Sequence, residues 1–196
     1  ITIPLGICWV IIAFCFYGQL TIEALHLSGP KLSLREGLSK YFFTIFGEIP
    51  SLLLTLVVID HPFFGRRNTL VISYTIAAGL HLVFAWSQLM FAGLLARFFM
   101  KNVYQVLYPL TTESFPTKIR TKGFGFCSAI GRVGTILMGF ILVPLDEWSR
   151  ASVYILLSLT CLGAAYIIWI YIVETRGANL DETKKDILLM EVNKNT

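Results

Sequence analysis

The chain has 196 residues, 56% of them hydrophobic and only 14% charged, with a net charge of +4 and a mean hydropathy of +0.71. A soluble domain carries roughly 25% charged residues, so this composition argues against a water-soluble globular domain and for a protein whose solvent is a bilayer. The positive charge lies between apolar runs and forms no basic patch, so no nucleic-acid partner is expected.

Six windows of about 20 apolar residues are expected to cross the membrane: 3–20, 41–59, 69–87, 89–110, 123–145 and 151–173. The first contains no Asp, Glu, Lys or Arg as far as Ile22 and lacks the basic start and cleavage pattern of a signal peptide. The chain opens on Ile1, so its true beginning is expected upstream. The stretch 23–40 is polar, with Gly29-Pro30 as a turn and KLSLREGLSK as a short surface helix. Pro50 should bend the second span, and only Ser87 and Gln88 separate the third from the fourth. The six spans make one bundle, 1–176, followed by a tail, 177–196, where Asn179 and Glu182 have capping-box spacing ahead of an amphipathic helix expected over 180–192.

Lys and Arg set the orientation. Arg66, Arg67, Lys118, Arg120, Lys122, Arg176, Lys184, Lys185 and Lys194 fall on one face of this topology, against Lys31, Arg35, Lys40 and Arg150 on the other. Excess positive charge marks the cytoplasmic side, or a matrix side under the same rule. An integral membrane protein with both chain ends on that side is therefore expected.

Cys8, Cys15, Cys127 and Cys161 all lie within expected spans and are read as small packing residues, because they show neither a disulfide framework nor metal-ligand spacing. His81, the one histidine inside a span, is expected to be hydrogen-bonded internally. No nucleophile has a base at usable spacing and there is no phosphate loop, so no enzyme activity, cofactor or metal is expected.

The informative residues are the charges inside the spans: Glu48, Arg97, Lys101 and Arg132. A charge at mid-bilayer costs at least about 2.5 to 3.5 kcal/mol on insertion scales and needs a partner, water or a function. Thr44, Glu48, Ser51 and Thr55 line one helical face, and Arg97, Lys101, Tyr104, Gln105 and Tyr108 another. Arg132 is flanked at helical spacing by Gly125, Ser128, Ala129, Thr135 and Gly139, small residues that leave room for a ligand. The row Cys127, Gly131, Thr135, Gly139 has the spacing that lets helices approach closely. Glu48 could simply neutralise one cation, and Arg97 could snorkel to the headgroups. Otherwise, three cations against one carboxylate leave a positive interior suited to an anionic substrate or a negatively charged partner.

Between the fourth and fifth spans the stretch ESFPTKIRTKG, residues 113–123, resembles the E-x-[FY]-P-T-x-x-R-x-x-G signature of major facilitator superfamily transporters. The resemblance is nearest to organic cation and anion carriers and their synaptic-vesicle-protein relatives. Tyr17-Gly18 is similar to the Y-Y-G of the seventh family helix, Glu48-Ile49-Pro50 to the E-[IF]-P of the eighth, and Asp60 with Gly65-Arg66-Arg67 to D-R-x-G-R-R. Arg132-Val133-Gly134 resembles A-R-V-G of the eleventh, and Glu174-Thr175-Arg176-Gly177 resembles P-E-T-K-G after the twelfth. The chain departs from the pattern in two extra residues between Asp60 and Gly65, in His61 for the usual Arg, and in Val173 for Pro.

The resemblance implies an all-α membrane protein whose six transmembrane helices form one half of a major facilitator fold. The other half would lie in the same chain upstream or in a companion membrane protein. It also implies a cytoplasmic charge latch made by Asp60, Arg66, Arg67, Glu113, Arg120 and Glu174, exchanged as the two halves rock. Together with the local charge, it implies a substrate site of Arg132, Lys101, Glu48, Tyr104, Tyr108 and Tyr17, with Arg132 leaning the substrate toward a small organic anion. Two functions follow as expectations: transport of a small organic ion by alternating access, or a transporter-derived accessory subunit packed into a larger membrane assembly.

Overall fold

A computed structural model of the chain describes residues 2–27, 34–46, 48–59, 61, 64–87, 89–172 and 174–175. Seven helices make up the regular structure of the described residues: α1 (Thr2–Leu27), α2 (Leu34–Phe46), α3 (Glu48–Val58), α4 (Gly65–Ser87), α5 (Met90–Glu113), α6 (Arg120–Trp148) and α7 (Arg150–Tyr171). Four of them, α1, α4, α6 and α7, are long and apolar enough to cross a membrane. α5, with 24 residues, matches them in length but carries Arg97 and Lys101, and α2 and α3 cover most of the expected second window. The tail helix expected over 180–192, Asp60 and Arg176 lie outside the described residues, as does the side chain of Thr44.

One boundary differs from expectation in a way that matters for the site. α1 runs to Leu27, seven residues past the expected end at Leu20. Gln19 donates to Glu23 Oε1 across one turn, at 2.7 Å, so the polar residues continue the helix where an apolar window stops. Pro50 sits in the first turn of α3, where a missing N–H goes unnoticed. The surface helix expected in residues 31–40 is the start of α2.

α1 packs along α6, and α4 is sandwiched between α5 and α7, while α3 leans on α5. α4 starts and α5 ends at the same end of the bundle, since Arg66 meets Glu113 there; this is called the near end. At the far end, α1 finishes beside the α6–α7 turn, where His26 meets Asp146. All four cysteines are fully buried. Trp86 and Trp148 close α4 and α6 at the far end with 85% and 82% of their surface exposed, as interfacial tryptophans are.

In a bilayer, helices hold together largely through close van der Waals packing at small residues. The α6 line that approaches α1 runs Cys127, Gly131, Gly134, all buried. The row expected to do this continued through Thr135 and Gly139; instead Thr135 turns toward a recess and Gly139 faces open space. A Cβ on Gly134 would overlap the carbonyl oxygen of Val10 and lie 3.1 Å from the Phe14 nitrogen, backbone atoms with no room to yield. Gly134→Ala is therefore expected to destabilise the bundle by about 1–3 kcal/mol and Gly139→Ala to be close to neutral. Unfolding titrations of the two variants in mixed micelles check this.

Candidate functional site

Tyr17 of α1, Tyr104 and Tyr108 of α5, and Ser128, Arg132 and Thr135 of α6 converge on a recess floored by Trp9, Ala13 and Gly131. Its order comes from Trp9, which is buried and donates its indole N–H to Thr111 Oγ1 at 2.9 Å. The ring stands edge-on to Tyr108, Phe124 and Tyr104, with centroids 5.0, 5.6 and 6.1 Å away, the geometry aromatic pairs prefer. Tyr104 and Tyr108 lie one turn apart on α5, 5.4 Å between centroids. The cavity is about 30 Å3. Arg132 is exposed on this wall. No described residue ion-pairs with it or hydrogen-bonds its guanidinium.

Glu48 and Lys101 do not line this recess. They belong to a charge cluster on the far-end side, built by α1, α3 and α5 around Arg97. Arg97 Nη1 is 3.0 Å from Glu23 Oε2, Nη2 is 2.8 Å and Nε 2.9 Å from Glu48 Oε1, and Lys101 Nζ is 3.0 Å from Glu48 Oε2. Arg97, with 4% of its side chain exposed, is paired inward and does not snorkel. Glu23, expected in a loop, is a fourth member because α1 is longer than its apolar window. Among the described residues two carboxylates face two cations, so their charges balance. Among those residues the expected three-to-one surplus of positive charge reduces to Arg132.

A second chain of polar contacts extends the cluster in both directions. Gln19 donates to the Gly93 carbonyl at 3.1 Å, and its Oε1 lies 3.2 Å from His81 Nε2. His81 is thus bonded inside the bundle, stacked 6.1 Å from Tyr154. Toward the near end, Gln105 reaches Ser51, Thr55 donates to Gln105 Oε1 at 2.6 Å, and Asn102 joins Thr55 to Ser73. These contacts satisfy buried polar atoms of α3, α4 and α5 where lipid offers no partner.

At the near end the Glu174 carboxylate takes the backbone N–H groups of Arg66 and Arg67, at 2.8 and 2.9 Å. It thereby caps the first turn of α4, where free amides and the helix dipole favour an anion. Gly65 stands there at φ +62°, and a side chain at this position would press on that carboxylate. Arg66 pairs with Glu113 at 3.1 Å, and Thr175 donates to the other Glu113 oxygen at 2.6 Å. Arg67 reaches the Trp169 carbonyl and lies over its ring, 4.7 Å from the centroid. Arg120, the first residue of α6, donates to the Thr112 carbonyl in the last turn of α5 and to Thr117. The structure thus gathers Arg66, Arg67, Glu113 and Glu174 at this end, with Arg120 at the neighbouring α5–α6 turn.

Of the expected substrate residues, Arg132, Tyr17, Tyr104 and Tyr108 meet at one recess, and Glu48 and Lys101 meet elsewhere. Trp9, Phe124 and Thr111 escaped notice because an aromatic in an apolar run looks like any packing residue. Their signal was helical register with the tyrosines across the gap, which no single span displays.

Comparison with known proteins defines the class. The sequence profile of the sugar (and other) transporter family matches residues 7–187. The chain belongs to that family and, with it, to the major facilitator transporters; its all-helical bundle is that of one half of such a fold. Among curated relatives, the synaptic vesicle 2-related protein of Xenopus laevis is 31% identical over 206 residues, covering 93% of this chain and 37% of that protein. The putative transporter svop-1 of Caenorhabditis elegans is 30% identical, covering 76% and 32%. The putative niacin/nicotinamide transporter NiaP of Bacillus subtilis is 30% identical, covering 83% and 41%. The chain spans about a third to two-fifths of the length of these relatives.

Proposed function

We propose that this chain is one six-helix half of a carrier for small organic ions, anions preferred, working by alternating access against a second half. The observation that carries the reading is Arg132: a guanidinium at mid-helix, on an aromatic recess, with its charge unbalanced among the described residues. An uncompensated cation there is expensive unless a ligand's negative charge visits it. The recess, about 30 Å3, is far below the 300–1,000 Å3 that encloses a small ligand, so it supplies one wall of a site completed by the other half. Relatives named niacin transporters are consistent with this chemistry, because niacin is a planar aromatic carboxylate.

In this proposal the bundle 1–176 carries the transport elements and 177–196 is a tail on the same side. The near end, with its basic loops, faces the cytoplasm or matrix. Arg66, Glu113 and Glu174 open and close with the transport cycle. An accessory role without transport would give no reason for an unbalanced charge on a preserved recess.

The test is uptake by proteoliposomes holding the full-length protein that contains this chain. Saturable uptake of labelled nicotinate, competed by benzoate, is the expected result. Uptake of tetraethylammonium without nicotinate would overturn the anion preference.

A further inference from the structure

We propose that His26, Asp146 and Arg150 form a proton-binding site at the far end, where protonation of one imidazole nitrogen moves the tie of α1 from α7 to α6.

His26 lies in the last turn of α1, Asp146 in the last turn of α6, and Arg150 opens α7. One ring nitrogen serves both partners. Nε2 of His26 is 2.9 Å from Asp146 Oδ1 and 3.1 Å from Arg150 Nε. Arginine Nε–H only donates, and an ionised carboxylate only accepts, so the two contacts demand opposite states of that nitrogen. With Nε2 bare, it accepts from Arg150 and turns a lone pair toward the carboxylate. With Nε2 protonated, it donates to Asp146 and turns an N–H toward the guanidinium. In the imidazolium, charge strengthens both preferences, attracting Asp146 and repelling Arg150. The nitrogen can satisfy one helix at a time.

Imidazole is the side chain that ordinarily gains and loses charge between pH 5 and 8. That of His26 is 34% exposed, open to protons from the far side, while Asp146 is 12% exposed. Among the described residues the other charged and titratable groups around it are few. Glu23 on α1 is occupied by Gln19 and Arg97. α6 also offers Glu147, which is exposed, and α7 offers Tyr154, which is buried. The described charged side chains of α2 are Arg35 and Glu36, both exposed, and on α5 Arg97 is turned to Glu23 and Glu48. α1 carries Trp9 and Tyr17 and α6 carries Arg132, so the choice of tie bears on how the two main walls of the recess meet at their far ends.

The test needs no substrate. In the full-length protein in nanodiscs, spin labels at Leu25→Cys with Trp148→Cys read the α1–α6 distance, and Leu25→Cys with Ile155→Cys the α1–α7 distance; all three positions are exposed. Between pH 8 and pH 5 the α1–α6 distribution should narrow and shorten while the α1–α7 distribution broadens. His26→Gln, an amide that does not titrate, should abolish the response. Asp146→Asn should remove the α1–α6 shortening at pH 5 while the α1–α7 distribution still broadens, because the imidazolium repels Arg150 whichever group stands at 146, and it carries the test alone if His26→Gln fails to fold. Distances that ignore pH in the unsubstituted protein, or an unchanged pH response in either variant, would overturn the proposal.

Discussion

Arg132→Gln is expected to abolish saturable uptake of an anionic substrate while the protein still inserts and folds. The two halves of that expectation have different physical sources. Arg132 has no ion partner among the described residues and is exposed on the recess wall, so shortening it strands no buried carboxylate and leaves helix packing untouched. Removing one member of a desolvated charge pair between protein and ligand, however, loses about 2–5 kcal/mol, at least roughly thirtyfold in affinity. Uptake kinetics with labelled nicotinate, read beside unfolding midpoints, separate these effects. Unchanged kinetics would remove Arg132 from the site. Arg132→Lys keeps the charge but loses the planar fork, so partial retention is the expected result.

The opposite balance holds at Arg97, whose replacement by Met is expected to destabilise the bundle by about 3–5 kcal/mol, the effect of breaking a buried pair from one side. Glu23, with 13% of its side chain exposed, would be left without its guanidinium, whereas Glu48 would keep Lys101 at 3.0 Å. The double variant Arg97→Met with Glu23→Gln should therefore recover much of the loss, although Glu48 still loses two hydrogen bonds. A denaturant titration of the single and double variants measures the coupling between the two residues. Equal losses in both would mean that Glu23 takes no part in the cluster.

How much of this could be read from residues alone depended on the range of the interaction. Long helices were legible because a bilayer demands long apolar runs, and four of the expected windows fall in helices long and apolar enough to cross one. The near-end network was legible because its residues stand in motifs with fixed spacing. Glu23 was misplaced for a physical reason: hydropathy marks where lipid ends, but a helix continues as long as its side chains find partners, and Gln19, Arg97 and a neighbouring turn supplied them. The balance of charge among the cluster's described residues followed from that one extra residue. The recess was half legible. Its tyrosines and Arg132 stood out as polar residues in apolar helices, whereas Trp9 became a wall only when Thr111, 102 residues away, fixed its ring. The exchange at His26 was invisible for the same reason, since Asp146 and Arg150 lie 120 and 124 residues further on.

The cap on α4 carries a consequence for how the protein is made. The amides that open this helix are answered by Glu174, 108 and 107 residues later in the chain. A ribosome therefore delivers α4 to the membrane long before it delivers the group that finishes it. Throughout synthesis of α5, α6 and α7 those amides are left to water or lipid headgroups, and the emergence of the segment after α7 exchanges these for a lasting partner. Translation past Glu174, more than insertion of any single helix, is the event that completes this cap.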